Sequence, residues 1–412
     1  MGLTMKDKKA LTQELARRYR GSDRKQKAAI LDEFVNTTGY GRKYAIHLLS
    51  NWGKSKTRVI NGELVNLVVG RPRERKRTGR VIYGEDVRAA VKELWKFFDY
   101  MCGKRLVVLI RMNIEALMLE PELSLEKEVK NQLMSISAAT IDRILKPERE
   151  KTRFKSRART RPGSLLKHQI PIRTFYPWDE RLPGFFELDT VGHDGGSAAG
   201  EYCFTLNATD VYSGWVELRA LRNRAHRWVM EQVIDIRSEL PFTLKGVDTD
   251  NGGEFINNVL LNYCKEHHIT FTRGRPYRKN DNCFVEQKND MAVRRTVGYY
   301  RFDTEEECEA LQNVYTHLCP LLNFYYPSVR IIAKERIGSK VKKIYDEPKP
   351  PYLRLLESPF VDAEVKTQLK TRARNLQIVK QKRLVDRAVA HLLRVLLRKR
   401  NSKRLCSNSY LD

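Results

Sequence analysis

The sequence has little of what marks membrane, secreted or zinc-binding proteins. No uninterrupted apolar run reaches the roughly 18 residues that a membrane-spanning helix needs. The N-terminal stretch MGLTMKDKKALTQELARR lacks the apolar centre of a signal peptide. The seven cysteines are scattered and form no Cys-x-x-Cys pair. We therefore expect reduced thiols, no zinc site, no membrane partner and a cytoplasmic location.

Acidic residues are scarce relative to basic ones. The 412 residues include 77 Lys and Arg against 50 Asp and Glu, which gives a formal net charge of +27. Because the basic residues occur in runs, the charge favours a polyanion as partner, and nucleic acid is the first candidate. The alternative is a basic protein whose charge serves only its solubility.

The first helical pattern lies near the N-terminus. Apolar residues at helical spacing flank the glycine turn TTGYG, which predicts two short helices between Arg24 and Ser50. We interpret residues 1–55 as a helix-turn-helix DNA-binding domain, with Arg42 and Lys43 on the outer face of its second helix. A plain helical hairpin without DNA contacts is the alternative.

A basic connector follows this helical pattern. Its run GRPRERKRTGR combines proline with alternating charge and cannot build a core. We predict that residues 56–84 are a basic linker along DNA phosphates. Arg71 and Arg73 would then enter a narrow minor groove, where local negative potential favours arginine.

A second helix-turn-helix pattern is clearer. In EKEVKNQLMSISAATIDRILK, two apolar stripes flank a short turn, and Ser137 is a good N-cap for the second helix. Residues 85–146 are predicted to form a second DNA-binding domain. Thr140, Arg143 and Lys146 are its candidate contacts to bases and phosphates.

The next segment is a basic linker that separates helical from strand-like sequence. Between Lys146 and Arg173 there are ten basic and two acidic residues, so residues 147–182 are predicted to follow a phosphate backbone. After it, β-rich runs and helical runs alternate in the order βββαβαβα. This order predicts an α/β domain with a mixed five-stranded sheet over residues 183–327.

Acidic residues lie at the ends of two predicted strands of this domain. Glu187 and Asp189 share a face of the first strand, and Asp248 and Asp250 share a face of the fourth. If these strands are neighbours, their carboxyl ends meet and two aspartates face each other. Such a pair repels unless divalent cations bind it, and hard oxygen ligands suit Mg²⁺. Glu286 opens a later helix, with thirty-five residues between it and Asp250.

These three acids carry a family resemblance. Asp189 in ELDTV, Asp250 in DTDNGGEF and Glu286 in KNDNCFVEQKN resemble the catalytic acids of DDE transposases of the retroviral-integrase type, particularly those of bacterial insertion sequences. The resemblance covers roughly Phe185 to Tyr326 and, more loosely, both helix-turn-helix regions. It implies a ribonuclease-H-like integrase fold and favours Asp250 over Asp248 as the catalytic residue.

The resemblance also implies the chemistry. The three acids would be catalytic and would bind two Mg²⁺ ions, with Mn²⁺ as a substitute, Asp189 contacting both ions. One ion activates a water or a DNA 3′-hydroxyl, and the other stabilises the leaving oxygen. Further candidate DNA contacts lie before and along the last helix: Lys279, Asn280, Asn282, Lys288 and Arg294.

The region before Asp189 departs from retroviral integrases in one respect. Those proteins carry a His-His-Cys-Cys zinc module, whereas here that region has only His47, His168 and Cys102. The departure favours a bacterial mobile element, a nucleoid-associated protein, and end recognition by the helix-turn-helix domains. Residues 328–412 are predicted to be a basic C-terminal region, whose leucine stripe from Leu369 to Leu396 is available to a partner helix or to DNA. The alternative is a loosely attached basic tail.

The sequence therefore predicts a DNA transposase. It would bind the terminal inverted repeats of its element, cut to expose 3′-hydroxyls and join them to target DNA. Double-stranded DNA would be its partner, and it would act as a homo-oligomer, at least a dimer, because two ends need two active sites. The alternatives are a sequence-specific DNA-binding regulator with an inactive integrase-like domain, and a nuclease of the same fold that does not join strands.

Overall fold

The structure is a computed structural model. It describes residues 3–60, 63–70, 83–120, 126–151, 182–250, 252–274, 283–337 and 340–408. The chain divides into two compact units, Met1–Val81 and Ile82–Asp412. In the part of the chain that the structure describes, no helix is both long enough and apolar enough to cross a membrane.

The first unit contains three helices and a β-hairpin. Helices α1 (Met5–Gly21), α2 (Arg24–Thr38) and α3 (Arg42–Asn51) bury a small core that includes Ala16, Phe34 and Leu49. Gly39 ends α2 with a φ of 70°, a conformation that glycine adopts without steric cost. Helices α2 and α3 thus lie on either side of the predicted glycine turn.

Part of the predicted linker 56–84 is regular structure. Strands β1 (Ser55–Ile60) and β2 (Glu63–Val68) pair antiparallel. The β-branched residues in these strands favour extended backbone, and Asn61-Gly62 is a strong hairpin signal in the sequence. The basic run that also belongs to this linker, residues 71–82, lies outside the described residues.

Four helices begin the second unit. They are α4 (Glu85–Phe97), α5 (Gly103–Met118), α6 (Lys127–Ser135) and α7 (Ala138–Lys151). The turn between α6 and α7 lies at the predicted position, and the Ser137 hydroxyl accepts a hydrogen bond from Thr140 N at 3.2 Å. Helix α7 continues through Pro147 to Lys151, so the first residues of the predicted linker 147–182 are helical; residues 152–181 are outside the described part.

A mixed five-stranded sheet forms the centre of the second unit. Its strands are β3 (Phe185–Gly192), β4 (Phe204–Asp210), β5 (Val216–Leu221), β6 (Gly246–Thr249) and β7 (Thr270–Arg273). Their order is β5-β4-β3-β6-β7, with β3 antiparallel to β4 and parallel to β6. The predicted α/β fold with a mixed sheet of ribonuclease-H-like type is confirmed.

Helices cover both faces of this sheet. Helices α8 (His226–Glu239) and α9 (Asn258–Glu266) pack on one face against residues such as Phe186, Leu188 and Leu206. On the other face, Val191, Val216 and Leu218 pack into a core shared with α12 (Glu305–Phe324). The alternation of side chains along each strand assigns these residues to opposite faces.

The segment before α12 carries the third predicted acid. It consists of α10 (Cys283–Lys288), a π-helical segment (Asn289–Arg294) and α11 (Arg295–Val297) in direct succession. Its π turn contacts the second helical region, because the Arg105 guanidinium on α5 donates to the sulfur of Met291 at 2.7 Å and to the carbonyl of Pro327. Helices α4 to α7 therefore share one core with the sheet domain.

The C-terminal region is folded onto the sheet domain. It comprises β8 (Ile331–Ile337), β9 (Lys340–Tyr345), α13 (Pro351–Glu357), α14 (Ala363–Asn375) and α15 (Ile378–Asn408). Leu369, Leu392 and Leu396 are at most 4% exposed. Helix α15 packs along α12, so the expectation that this leucine stripe is available to a partner is wrong. The apolar stripe is buried within the chain itself.

Candidate active site

Asp189 lies on β3, where the sheet meets the α10 segment. Its Oδ1 accepts a hydrogen bond from Thr190 N at 2.7 Å, and its Oδ2 accepts one from Asn289 Nδ2 at 2.6 Å. Asn289 is held in turn by Asn207 Nδ2, which donates to Asn289 Oδ1 at 2.8 Å. Since Asn207 is paired with Asp189 across β3 and β4, the two strands and the helical segment fix this carboxylate together.

Asp250 follows directly after β6. The last paired residues of β3 and β6 are Leu188 and Thr249, so Asp189 and Asp250 are the next residues of adjacent parallel strands. Asp250 Oδ1 accepts a hydrogen bond from Gly252 N at 2.8 Å. The predicted meeting of two strand-end aspartates is what this register produces.

A further carboxylate, Glu254, borders the same point. A Cβ atom at Gly252 would lie 2.8 Å from Oδ1 of Asp250 and 2.6 Å from Oε2 of Glu254. The other oxygen of Glu254, Oε1, accepts a hydrogen bond from Thr190 Oγ1 at 2.9 Å. Glu254 therefore joins the turn after Asp250 to the residue after Asp189.

Glu286 is carried by α10, and the sheet fixes the start of that helix. The N–H of Val285 donates to Oε2 of Glu187 at 3.0 Å, and both residues are fully buried. Glu286 itself is exposed. It precedes Asn289 by one helical turn, and residues three apart lie on one face of a helix. Asn289 contacts Asp189, so Glu286 lies one turn before a residue that reaches the strand-end aspartates.

The electrostatics of the site reflect like charges close together. Burial, together with the neighbouring Asp250 and Glu254 carboxylates, raises the pKa of Asp189 to about 7, although the hydrogen bonds from Thr190 and Asn289 lower it. Burial also raises the pKa of Asp250. Carboxylates in such a place bind protons or cations, because full ionisation without a counter-charge is unfavourable.

The donor chemistry fits a hard divalent cation. Adjacent carboxylates that resist joint ionisation are neutralised by such an ion, and Mg²⁺ prefers carboxylate oxygen ligands. Among the described residues, however, no three His, Cys, Asp or Glu side chains surround one metal position. Asp189 and Asp250 lie at the ends of adjacent strands, and Glu286 lies on α10; metal binding by these three acids together stays a prediction.

Two predicted DNA contacts near the site are buried or half-buried. Lys288 is 6% exposed, and burial lowers its pKa to about 7 with help from the nearby Arg105 and Arg354 guanidinium groups. Arg294 donates to the carbonyl of Gly192 at 2.7 Å. Lys288 is two residues from Glu286, which places it about 200° around the helix and toward the core. The burial of Lys288 argues against a surface phosphate contact, whereas DNA contact by the half-buried Arg294 stays a prediction.

The other predicted DNA contacts fall into two groups. Lys43, Arg143 and Lys146 are exposed, Thr140 is half-buried and accepts from Arg143 at 2.9 Å, and Arg42 pairs with Asp32. The second group lies outside the described residues: Arg71, Arg73, Lys279, Asn280 and Asn282. DNA contact by these residues stays a prediction.

The sequence reasoning missed several residues at the site. Thr190 lies in the motif ELDTV beside Asp189, and Glu254 lies in the motif DTDNGGEF after Asp250. The sequence therefore indicates that each residue is close to its aspartate. The sequence does not predict that Asn207 belongs to the site, because its position opposite Asp189 depends on the strand register. Asn289 shares the face of Glu286, but only the tertiary structure shows its contact with Asp189.

Comparison with known proteins assigns this region. A family model described as "Integrase core domain" matches residues 180–279. The uncharacterized protein y4rM of Sinorhizobium fredii (strain NBRC 101917 / NGR234) is 38% identical over 356 residues, which cover 85% of this chain and 96% of that protein.

Solved structures of integrase catalytic cores also match. The core of BIV integrase is 20% identical, with a TM-score of 0.29, and the match covers 42% of this chain and 95% of the integrase core. The core of HTLV-2 integrase, solved in complex with magnesium in a dimeric form, is 18% identical with a TM-score of 0.28; here the match covers 36% of this chain and 91% of that one.

Proposed function

The chain belongs to the same family as the Sinorhizobium fredii protein and carries an integrase core domain of the DDE transposase type, and from this premise we propose that it is a DNA transposase. The match to the integrase core domain indicates that the chain belongs to a family of polynucleotidyl transferases. The specific reaction that we propose is cleavage at the terminal inverted repeats of a mobile element, followed by joining of the exposed 3′-hydroxyls to target DNA.

One observation carries this proposal. Asp189 and Asp250 each follow the last paired residue of two adjacent parallel strands, β3 and β6. The segment that carries Glu286 is hydrogen-bonded to β3, through Val285 to Glu187 and through Asn289 to Asp189. A fold that only bound DNA would have no reason to keep like charges together where burial already raises the pKa of Asp189.

Asp189, Asp250 and Glu286 would hold two Mg²⁺ ions, for which Mn²⁺ is the expected substitute. When bound, such ions lower the pKa of an attacking water or 3′-hydroxyl and stabilise the leaving oxygen in an in-line displacement at phosphorus. The protein orients the ligands: Thr190 N and Asn289 Nδ2 direct the two oxygens of Asp189. Gly252 N does the same for Asp250.

Binding of the DNA ends would be the task of the helical regions. We propose residues 1–55 and 85–146 for this role, with Lys43, Arg143 and Lys146 as their exposed cationic contacts. One integrase core has one set of three acids, so joining two ends requires at least two protomers. A net charge of +27 repels free protomers, and DNA would promote their assembly by neutralising it.

The test is a strand-transfer assay on the DNA that flanks the reading frame. Inverted repeats in that DNA would supply the labelled end duplexes, which are incubated with the full chain, a plasmid target and Mg²⁺ or Mn²⁺. We expect labelled ends covalently joined to the plasmid, and no joining by Asp189→Asn. Cleaved but unjoined ends would instead identify a nuclease, and binding without cleavage would identify a regulator.

A further inference from the structure

Arg224 lies at the edge of the carboxylate site, in the loop between β5 and α8. Its Nη1 is 3.8 Å from Oε1 of Glu254, the carboxylate that also accepts from Thr190. The Arg224 guanidinium opposes the rise that burial causes in the pKa of Asp250. This cation is therefore within electrostatic reach of the strand-end aspartates, although it belongs to none of the elements that carry them.

The Arg224 guanidinium also lies over an aromatic ring. Arg224 Cζ lies 5.0 Å from the centre of the Phe204 ring, and Phe204 stacks on Tyr202 with 4.8 Å between ring centres. The stack rests on β3, because a Cβ at Gly192 would come within 2.9 Å of the Phe204 ring. Contact with an aromatic face does not use the N–H groups of a guanidinium, which can still donate hydrogen bonds.

Arg224 differs from the nearby Arg219 in its hydrogen bonds within the described residues. Among the described residues, no hydrogen bond involves its N–H groups, and the 3.8 Å separation from Glu254 exceeds hydrogen-bond length. Its side chain is 48% exposed. Arg219 on the preceding strand differs, because it donates to Asp235 at 2.6 Å and to Glu217 at 3.1 Å and is 10% exposed.

The carboxylates of Asp189, Asp250 and Glu286 repel a DNA strand unless cations contact its phosphates. An arginine fork matches the oxygens of a phosphodiester and binds them with charge-assisted hydrogen bonds. We propose that Arg224 binds a DNA phosphate beside the reacting one, and that Glu254 and Phe204 position it for this contact. This inference rests on the proposed function, since it names the substrate contact of the same site.

The same loop offers a matched control in Arg222. Its side chain is 50% exposed, as open to solvent as that of Arg224, but it pairs with Glu305 on α12 at 3.1 Å. Substitution of Arg222 removes the same charge from the same loop without removing a group beside Glu254. The comparison of Arg224→Gln with Arg222→Gln therefore separates a local contact from the general attraction between a basic protein and DNA.

The experiment is a double-mutant cycle that combines substitution of the Arg224 side chain with neutralisation of single DNA phosphates and compares the affinities. The full chain binds a fluorescent duplex of the flanking repeat with a cut end, in Mg²⁺ at fixed salt, and the terminal 3′-hydroxyl is absent so that nothing reacts. Single phosphates near the end are replaced in turn by uncharged methylphosphonates, and anisotropy gives each Kd. A phosphate contacted by Arg224 costs the wild type roughly tenfold in affinity when neutralised, and costs Arg224→Gln almost nothing.

The outcomes are separable. We expect one phosphate next to the cut end whose neutralisation weakens binding of the wild type and of Arg224→Gln to different extents, with almost no loss of affinity for Arg224→Gln. Arg222→Gln should lose affinity as the wild type does at every position. Both variants should unfold at the same temperature as the wild type. If Arg224→Gln keeps all penalties while the wild type binds and joins ends, Arg224 is only a structural ion pair and the inference is overturned. If the wild type neither binds nor joins these ends, the proposed function fails and the inference with it.

Discussion

Two pairs of acids lie two residues apart on the same two strands, and their surroundings differ. The inner pair, Glu187 and Asp248, is paired in register across β3 and β6, and both side chains are fully buried. Glu187 accepts from Val285 N, and Asp248 accepts from Thr272 Oγ1 at 2.6 Å. The outer pair, Asp189 and Asp250, stands where the pairing ends and is half-buried.

The difference separates stability from chemistry. The inner carboxylates accept hydrogen bonds from neighbouring elements, β7 and α10, and so hold the sheet and the helical segment together. The outer carboxylates face each other, and the pKa of Asp189 is raised to about 7 by burial and by Asp250. Buried acids with hydrogen-bond donors serve the fold, whereas acids left beside like charges are candidates for a cation.

The largest expected effect comes from the outer acids. Asp189→Asn, Asp250→Asn and Glu286→Gln each keep the side-chain shape but remove a negative ligand, so strand cleavage and joining should fall by about a thousandfold or more. Binding of the end duplex should stay within about twofold, because phosphate contacts elsewhere carry it. The assay is joining of labelled ends, with anisotropy for binding.

Asp248→Asn is the matched control for Asp250→Asn. It should retain most of the joining activity, since the amide oxygen can still accept from Thr272 Oγ1. If Asp248→Asn abolishes joining while Asp250→Asn keeps near-normal activity, the assignment of inner and outer acids is reversed.

Glu187→Ala should show what the inner pair does. The substitution leaves the buried Val285 N–H without its acceptor, which should lower the free energy of unfolding by about 2 to 3 kcal/mol. Joining should also fall, because the start of α10 and thus Glu286 lose their attachment to β3. Urea unfolding measures the first effect. Glu187→Gln keeps an acceptor and should recover most of both losses; an unaltered unfolding curve for Glu187→Ala would contradict this role.

Acid should destabilise the fold through His193, a buried residue directly after β3. Burial lowers the pKa of His193 to about 3, and its Nε2 is 2.7 Å from Thr205 Oγ1. The unfolded chain binds a proton near pH 6.5 and the folded chain does not, so stability is lost as pH falls below 6.5. Between pH 6.5 and 5 this histidine should reduce the free energy of unfolding by about 2 kcal/mol.

The measurement is urea unfolding at several pH values, with His193→Asn as reference. The variant has no imidazole to protonate, so its stability should depend less on pH over this interval. Equal pH dependence in the two proteins would show that His193 is protonated in the folded state.

The smallest effect should come from the partner of Asp248. Thr272→Val keeps the volume but removes the hydroxyl that donates to this carboxylate, which should cost about 1 kcal/mol in the free energy of unfolding. Joining activity should stay within about twofold, because Asp248 is separate from the outer acids. A large loss of joining with normal stability would place Asp248 in the chemistry.

Sequence reasoning predicted the central domain well. Alternating β-rich and helical runs predict the chain order βββαβαβα, and the elements from β3 to α10 follow one another in that order. It placed the turn before Ser137 and the glycine turn at Gly39, because caps and turns are local signals. It failed for the leucine stripe from Leu369 to Leu396, since an amphipathic pattern indicates a buried face without saying which surface covers it.

The sequence by itself determined the elements, the charge and the three acids in their order, because periodicity, turn residues and composition act over short distances. Only the tertiary structure decided which polar groups meet. Strand register put Asn207 opposite Asp189 and left Asp189 and Asp250 as consecutive neighbours. Chain packing brought Arg224 to Glu254 and Arg105 to Met291. The last two contacts join residues that are 30 and 186 positions apart. No local pattern encodes which distant side chain will fill a given space.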